Sequence, residues 1–408
     1  MSLKDIYKKA GVVMKPAAMK DGKLYSQQPH SGAGDFNFSR ADGVQTRINK
    51  HGLIETVANN EPRLSYDIVD GKVSDCPHLL LEPQRTNLIS QSEDIDSWGN
   101  QYSPTLTQNS SISPDGTVSA YKITATNLSS AKYIPATTVN STQYNVSVFV
   151  KNINSQRSRI EIYNSPNCIL EFNWTNNQPS TQYATTFTDV SYTYYGDDWW
   201  RVSANFTATA TNNFYVYPDR INGTDSILVW GAQIEAGSYP TSYIPTSGSA
   251  EQRQADICNG SGNSETFNSS EGVLFVEFSG TSSDSTSKRI TLNDGSTQNR
   301  VSVGIHSVSS QLFYFVSGGG SVPFTQAITV SSVEQFNKVA FKYKSGDTAL
   351  WVNGTEVNTK TNTFNISGLD ELSLNDGGNA NPFYGKVKEL TVINEALTDE
   401  QLQLLTTP

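Results

Sequence analysis

Cleaving a glycosidic bond on a β-scaffold takes two carboxylates on one face. A strand supplies them most simply two residues apart, as in E-x-D-x-E. The strand-like stretches of this chain each carry a single acid: Glu161 in RIEIYN, Glu171 in LEFNW, Glu277 in FVEFS and Glu389 in VKELTV. A lone strand carboxylate reads as a solvent-facing residue. No G-x-S-x-G, H-E-x-x-H or phosphate loop is present. His30, His51, His78 and His306 fall among turns and strands without a partner pattern. The sequence therefore predicts no catalytic residues and no enzyme. Acids converging from different strands or subunits remain the open alternative, a polysaccharide depolymerase.

Binding chemistry has more material. Sugars stack their C–H faces on aromatic rings, and Tyr and Trp add a polar tip. Candidates are Trp98, Trp174, the run YTYYGDDWW, Tyr215 and Tyr217, then Phe313, Tyr314, Trp351, Phe383 and Tyr384. In an alternating strand one member of each pair must point inward, so the competing reading is core. Trp230 and Trp351 read as core; Tyr195, Trp199, Phe383 and Tyr384, beside turn residues, are the predicted glycan contacts. Hard oxygen ligands for calcium would come from Asp294 in LNDGS and from Asp376 and Asn379 in LNDGGNANP. Asn-Asp-Gly is also a good turn sequence, and that reading is preferred. No other cofactor is expected.

These side chains need a scaffold, and composition says which. Only 17% of the 408 residues are charged, with a net charge of −10. Nucleic acid is not an expected partner, because its footprint needs clustered Lys and Arg. Thr and Tyr suit strands, while Asn, Gly and Ser suit turns. Three widely spaced cysteines (Cys76, Cys168, Cys258) show no metal spacing and read as small buried hydrophobes. No apolar run approaches the ~18 residues of a membrane span, and MSLKDIYKKAGVVMKPAAM lacks the apolar centre of a signal peptide. A chain of outward-facing composition without an export signal implies synthesis in a bacterial cytoplasm and release by lysis.

Turn signals divide the chain. Residues 1–35 hold all three methionines and Lys4, Lys8, Lys9, Lys15, Lys20 and Lys23. They read as a flexible attachment segment ordered by a partner, with Ile6, Tyr7, Val12 and Val13 for insertion into a groove. Residues 36–95 read as a small β subdomain in which Leu79–Leu81 form a strand buried on both faces. Residues 96–249 carry about eight alternating strands, the pattern of a jelly-roll sandwich. Residues 250–272 are polar and turn-rich, a linker. Residues 273–408 form a second sandwich closed by the helix ALTDEQLQLL, with Thr398 as N-cap. The predicted fold is all-β: two jelly-roll or concanavalin-like sandwiches in tandem.

Two blocks carry a resemblance. FSRADGVQTRINKHGLIETVANNEPRLSYD, CPHLLLEPQRTNLI and WGAQIEAGSYPTSYIPTSGSAEQRQAD, covering roughly residues 36–257, resemble bacteriophage tail-fibre, head-fibre and other virion adhesion proteins. WVNG in a hairpin and YGKVKELTVINEALTDEQLQLL are similar to laminin-G-like, concanavalin-A-like domains. The resemblance implies a carbohydrate-binding-module-like middle domain bracketed by LLLEPQRTNL and GAQIEAGSYPTSYIPT. The two stretches are expected to pack near each other at its base, with Glu82, Arg85 and Glu235 pairing there and Glu82 and Arg85 as framework rather than catalysts. It further implies a homotrimer on the virion exterior, anchored to capsid or tail proteins through the N-terminus and adhering to cell-surface or mucosal glycans. A purely structural spacer is the alternative.

Overall fold

The structure, a computed structural model, describes residues 2–163, 166–209, 211–280, 285–308 and 310–408. In the middle of the chain, alternation does what it predicts. One six-stranded sheet runs Gly99–Gln101, Ala131–Thr137, Thr211–Tyr217, Arg157–Tyr163, Cys168–Thr175, Gln178–Thr185. The other runs Thr105–Ser111, Ala120–Thr124, Ser226–Ala236, Gln143–Asn152, Trp200–Thr207, Thr188–Tyr194. Val146, Val148, Ile160, Phe172, Phe214 and Ile234 fill the space between them and are buried.

The second sandwich also forms, but from more of the chain than its own sequence. Its five-stranded sheet runs Ser321–Thr329, Gln311–Gly318, Arg300–Ile305, Lys288–Asn293, Glu371–Ser373. The facing eight-stranded sheet takes Thr355–Lys360, Thr348–Val352, Asn337–Lys344, Glu271–Gly280 and Gly385–Ile393 from the C-terminal third. Its last three strands come from the first 81 residues. Ala10–Met14 pairs along one part of Gly385–Ile393 (Val12 opposite Val392), and His78–Leu81 along the other (Leu79 opposite Val387), with Arg63–Ser65 beyond it. Leu79–Leu81 is indeed a strand buried on both faces.

The N-terminal segment therefore departs from expectation. Residues 1–35 are not a free arm: Ile6, Val12, Val13 and Met14 are buried in the C-terminal sandwich. The helix Leu3–Tyr7 and the C-terminal helix Asp399–Thr406 cover the outer face of the eight-stranded sheet, where Ile6 meets Leu397, Leu402 and Leu405. The lysines find partners on the same chain, Lys9 with Glu395 at 2.7 Å and Lys15 with Glu389 at 3.1 Å. Tyr7 donates to Glu389 at 2.7 Å, and Lys8 pairs with Asp5 at 3.0 Å. Lys4 and Lys23 are exposed without a described side-chain partner. A short segment judged by its own apolar content looks unstable, whereas a sheet edge supplies both backbone partners and a core.

The stretch read as a linker is paired too. Glu251–Arg253 ladders with Arg85–Asn87, and Ile257–Asn259 with Phe36–Ser39. Cys168 and Cys258 are buried as expected; Cys76 is exposed.

LLLEPQRTNL and GAQIEAGSYPTSYIPT do pack together. Asn87 Nδ2 donates to the carbonyls of Ala232 (3.0 Å) and Ile244 (2.8 Å), tying the first strand to both ends of the second stretch. The ion pairs there are regrouped. Arg85 lies 3.9 Å from Glu235, while Glu82 joins a buried network of Arg40, Arg63, Arg253 and Asp256. Arg63 meets Glu82 at 2.6 Å and also Asp256; Arg40 meets Asp256 at 2.8 Å and Arg253 meets Glu82 at 3.1 Å. Ser242 N and Oγ donate to Glu82 at 2.8 and 2.6 Å. Burial alone would push the Glu82 carboxyl up; Arg253 and Arg63 outweigh it and hold the carboxyl well below the ordinary carboxylate range. This knot joins segments from residues 40 to 256 and fixes the sheet extension at Arg63–Ser65 and His78–Leu81 to the base of the central sandwich.

Candidate functional site

The outer face of the five-stranded sheet carries the site. Ile290, Leu292, Val301, Val303, Leu312, Tyr314 and Val316 point into the core. Their alternates, Arg289, Arg300, Phe313 and Phe315, stand on the opposite face. Register sets Arg289, Gly304 and Phe313 side by side across three strands. Gly304 is needed there: a Cβ would lie 2.0 Å from the Lys288 carbonyl and 3.0 Å from the Phe313 ring.

The two phenyl rings stack, with centroids 6.0 Å apart and planes at 12°. Both guanidiniums rest on them: Arg289 Cζ is 5.5 Å from each centroid, and Arg300 Cζ is 4.9 Å from that of Phe315. Such contacts hold a long side chain in one place. His306 packs edge-on against Phe313 at 6.1 Å, and its Nδ1 accepts from Val308 N at 3.0 Å. With Ser287, Val322 and Thr325 these residues line a cleft of about 190 Å³.

Among the described residues the cleft is short of negative charge. Asp376 Oδ2 is 3.8 Å from Arg289, but its carboxylate already accepts from Gly378 N, Ala380 N and Asn381 Nδ2 at 2.9, 2.9 and 3.1 Å. Arg300 Nη1 donates to the Asp376 backbone carbonyl at 2.7 Å. Burial is the first cause that pulls both guanidiniums below their ordinary values. For Arg300, repulsion by Arg289 comes next.

The glycan contacts expected from sequence lie elsewhere. Trp199 is buried at 2% exposure beside Phe149 and Trp230, its Nε1 donating to the Ile112 carbonyl at 3.0 Å. Phe383 is buried against Phe278, edge to face at 5.5 Å. Neither presents a ring to a sugar. Tyr195 is half-buried and edge-on to Phe149 at 4.8 Å, at the junction of the two sandwiches. Tyr384 is half-buried against the C-terminal core. Position beside a turn does not imply exposure, because these turns fold back on the body. Trp230 and Trp351 are core residues.

The oxygens suggested for calcium serve their own turns. Asp294 accepts from Ser296 N and Oγ (3.1 and 2.6 Å) and from Asn299 Nδ2 (2.8 Å), and Asn379 from Asn375 Nδ2 (3.3 Å). Among the described residues no three His, Cys, Asp or Glu side chains gather as a metal site.

A second outward face, on the central sandwich, stacks Tyr133 on Tyr215 (5.0 Å) and Tyr215 on Tyr217 (6.0 Å). Its charges satisfy one another: Arg159 meets Glu171 and Glu161, and Arg220 meets Glu171 at 3.4 Å. That closure separates it from the cleft at Arg289 and Arg300. Alternation in KRITLND, RVSVGIHS and QLFYFVSG places those two arginines beside Phe313 and Phe315 and is the usable signal for this site; the aromatic pattern alone reaches Phe313 but neither arginine.

The class of the C-terminal sandwich follows from comparison with known families. Residues 278–403 match the model described as the Concanavalin A-like lectin/glucanases superfamily. Among solved structures, the chain is similar to the CBM40 of Ruminococcus gnavus IT-sialidase, with 20% identity over 34% of this chain and 84% of that one, at a TM-score of 0.30. It is also similar to domain 4 of a GH43 extracellular arabinanase from Geobacillus stearothermophilus in complex with arabinotriose (14% identity, 38% and 73% covered, TM-score 0.31). A heptameric SAP-like pentraxin from Limulus polyphemus is a third (16%, 33% and 68%, TM-score 0.27). No curated protein matches the sequence.

Proposed function

We propose that the protein is a glycan-binding adhesion protein carried on the exterior of a bacteriophage particle, acting by binding rather than cleavage. The observation that supports it most is the cleft itself. It is a concave, partly apolar pocket with convergent polar groups, within the segment that matches a lectin and glucanase family. Asp376 is the carboxylate beside it, and its oxygens are taken by backbone and amide donors. The virion part of the reading rests on the resemblance of residues 36–257 to phage fibre proteins. With the N-terminal segment folded into the body, attachment to other virion proteins falls to the outer surface rather than to a free arm. Single lectin sites are weak, and display of many copies converts weak contacts into avidity.

On a glycan array the full chain is expected to bind a limited set of glycans, and Val322→Trp, which fills the cleft mouth from an exposed position, is expected to lose that binding while keeping its thermal transition. Wild-type protein that binds no glycan defeats the reading. The trimer expected of fibres has its own check: light scattering is expected to give a mass near three chains of 44.6 kDa. A monomer at all concentrations removes the trimer and leaves the cleft untouched.

A further inference from the structure

We infer that the ligand of this cleft is an acidic sugar, its carboxylate held between Arg289 and Arg300. The inference rests on the glycan-binding reading and adds the chemical class. Two guanidiniums converge on one phenyl ring, at 5.5 and 4.9 Å from the Phe315 centroid. Bringing two like charges together on an apolar shelf is costly, and a partner normally compensates. Here the compensation is incomplete. The nearest described carboxylate oxygen is 3.8 Å from Arg289 and already serves its own turn. Arg289 makes no described side-chain hydrogen bond; an Nε buried without an acceptor is shared by Arg40, Arg63 and Arg253, so the difference lies in the missing carboxylate. Among the described residues most other buried arginines are answered by a carboxylate. Arg40, Arg63 and Arg253 each reach a carboxylate within 3.1 Å, and Arg159 and Arg220 share Glu171. Arg201 also lacks a carboxylate, but its guanidinium donates to Ser147 Oγ and the Thr241 carbonyl; Arg289 has no such described bond, and a ligand anion supplies what the pair in the cleft lacks.

The anion's shape follows from the donors. A guanidinium is a planar fork that matches the two oxygens of a carboxylate, and two forks converging on one group bind it strongly. Because His306 Nδ1 accepts from Val308 N, the neutral imidazole carries its proton on Nε2 and can donate to a hydroxyl oxygen. Val322, 46% exposed, gives the rim an apolar contact for the C–H edge of a ring. A volume of about 190 Å³ is below the ~300–1,000 Å³ of drug-sized pockets, which suits one terminal or side-branch residue rather than a run of sugars.

The test uses the full chain in titrations against glucuronic acid and N-acetylneuraminic acid glycosides, their methyl esters, the corresponding neutral hexosides and O-sulfated hexosides. The free acids are expected to bind about 10–100-fold more tightly than the esters, as for loss of a charge-assisted hydrogen bond. Affinity is expected to fall as salt rises, and Arg289→Gln or Arg300→Gln to remove the preference for the acid while the thermal transition stays in place. Equal affinity for acid and ester, or preference for the sulfated sugar, overturns the acidic-sugar assignment but leaves glycan binding standing. Absence of binding to every sugar, neutral ones included, brings down both. If Arg289→Gln lowers the thermal transition sharply, the pair is structural, and the salt and ester comparisons on wild-type protein then decide the matter.

Discussion

Removal of residues 2–17 will abolish the cooperative unfolding of the C-terminal sandwich while leaving that of the central one. The deleted stretch takes with it Ile6, Val12, Val13 and Met14, each at most 3% exposed. It also uncovers the edge of Gly385–Ile393 that Ala10–Met14 occupies. At about 1.5–3 kcal/mol for each fully buried apolar side chain, the loss is on the order of 6–12 kcal/mol. A whole domain is stable by only ~5–15 kcal/mol. Calorimetry of the truncated protein is expected to show one transition fewer than the full chain. An unchanged thermogram would mean that the segment only rests on the body.

The second large effect belongs to the buried knot at the base of the central sandwich. Arg63 serves both Glu82 and Asp256 with no exposure of its own. Arg63→Met keeps much of the side-chain volume and leaves two buried carboxylates under-compensated. Breaking such a pair from one side costs about 3–5 kcal/mol. The urea midpoint at neutral pH is expected to drop accordingly, and an unchanged midpoint would sink the account. The same site sets an acid limit. Glu82 is held below its ordinary value near 4.5, so the unfolded chain takes up its proton before the folded one. Its contribution is therefore complete above that pH and drains away as the pH falls below it. Wild-type stability should decline on that side, and Glu82→Gln should flatten the decline.

The sequence stated the fold class and the central sandwich openly, because both depend on local alternation: YNVSVFVKNI and SILVWGAQIE alternate whatever lies beside them. Leu79–Leu81 announced burial on both faces, yet not the neighbours that bury it. Which strand sits beside Gly385–Ile393 is a fact about residues more than 300 positions apart. Nothing in AGVVM or KVKELTVI taken singly names the other. The site was half legible for a similar reason. Phe313 was marked as an aromatic, but the significance of Arg289 and Arg300 lies in a shortage of partners around them, and a shortage shows only once every neighbour has been placed. Trp199 illustrates the converse: DDWW looks like a loop tip, and its two acidic residues do turn outward while the ring turns in.

The strand at Ala10–Met14 pairs with residues made more than 300 positions later, Val12 with Val392. At ~5–20 residues per second, the separation amounts to an interval on the order of tens of seconds. Through that interval Val12, Val13 and Met14 have no edge to join, while the central sandwich, whose strands lie within residues 99–236, is completed before it ends. Assembly of this chain thus runs from the middle outward. The strand Ala10–Met14 is among the last to settle, and the C-terminal sandwich exists as a finished sheet only after Gly385–Ile393 has been translated.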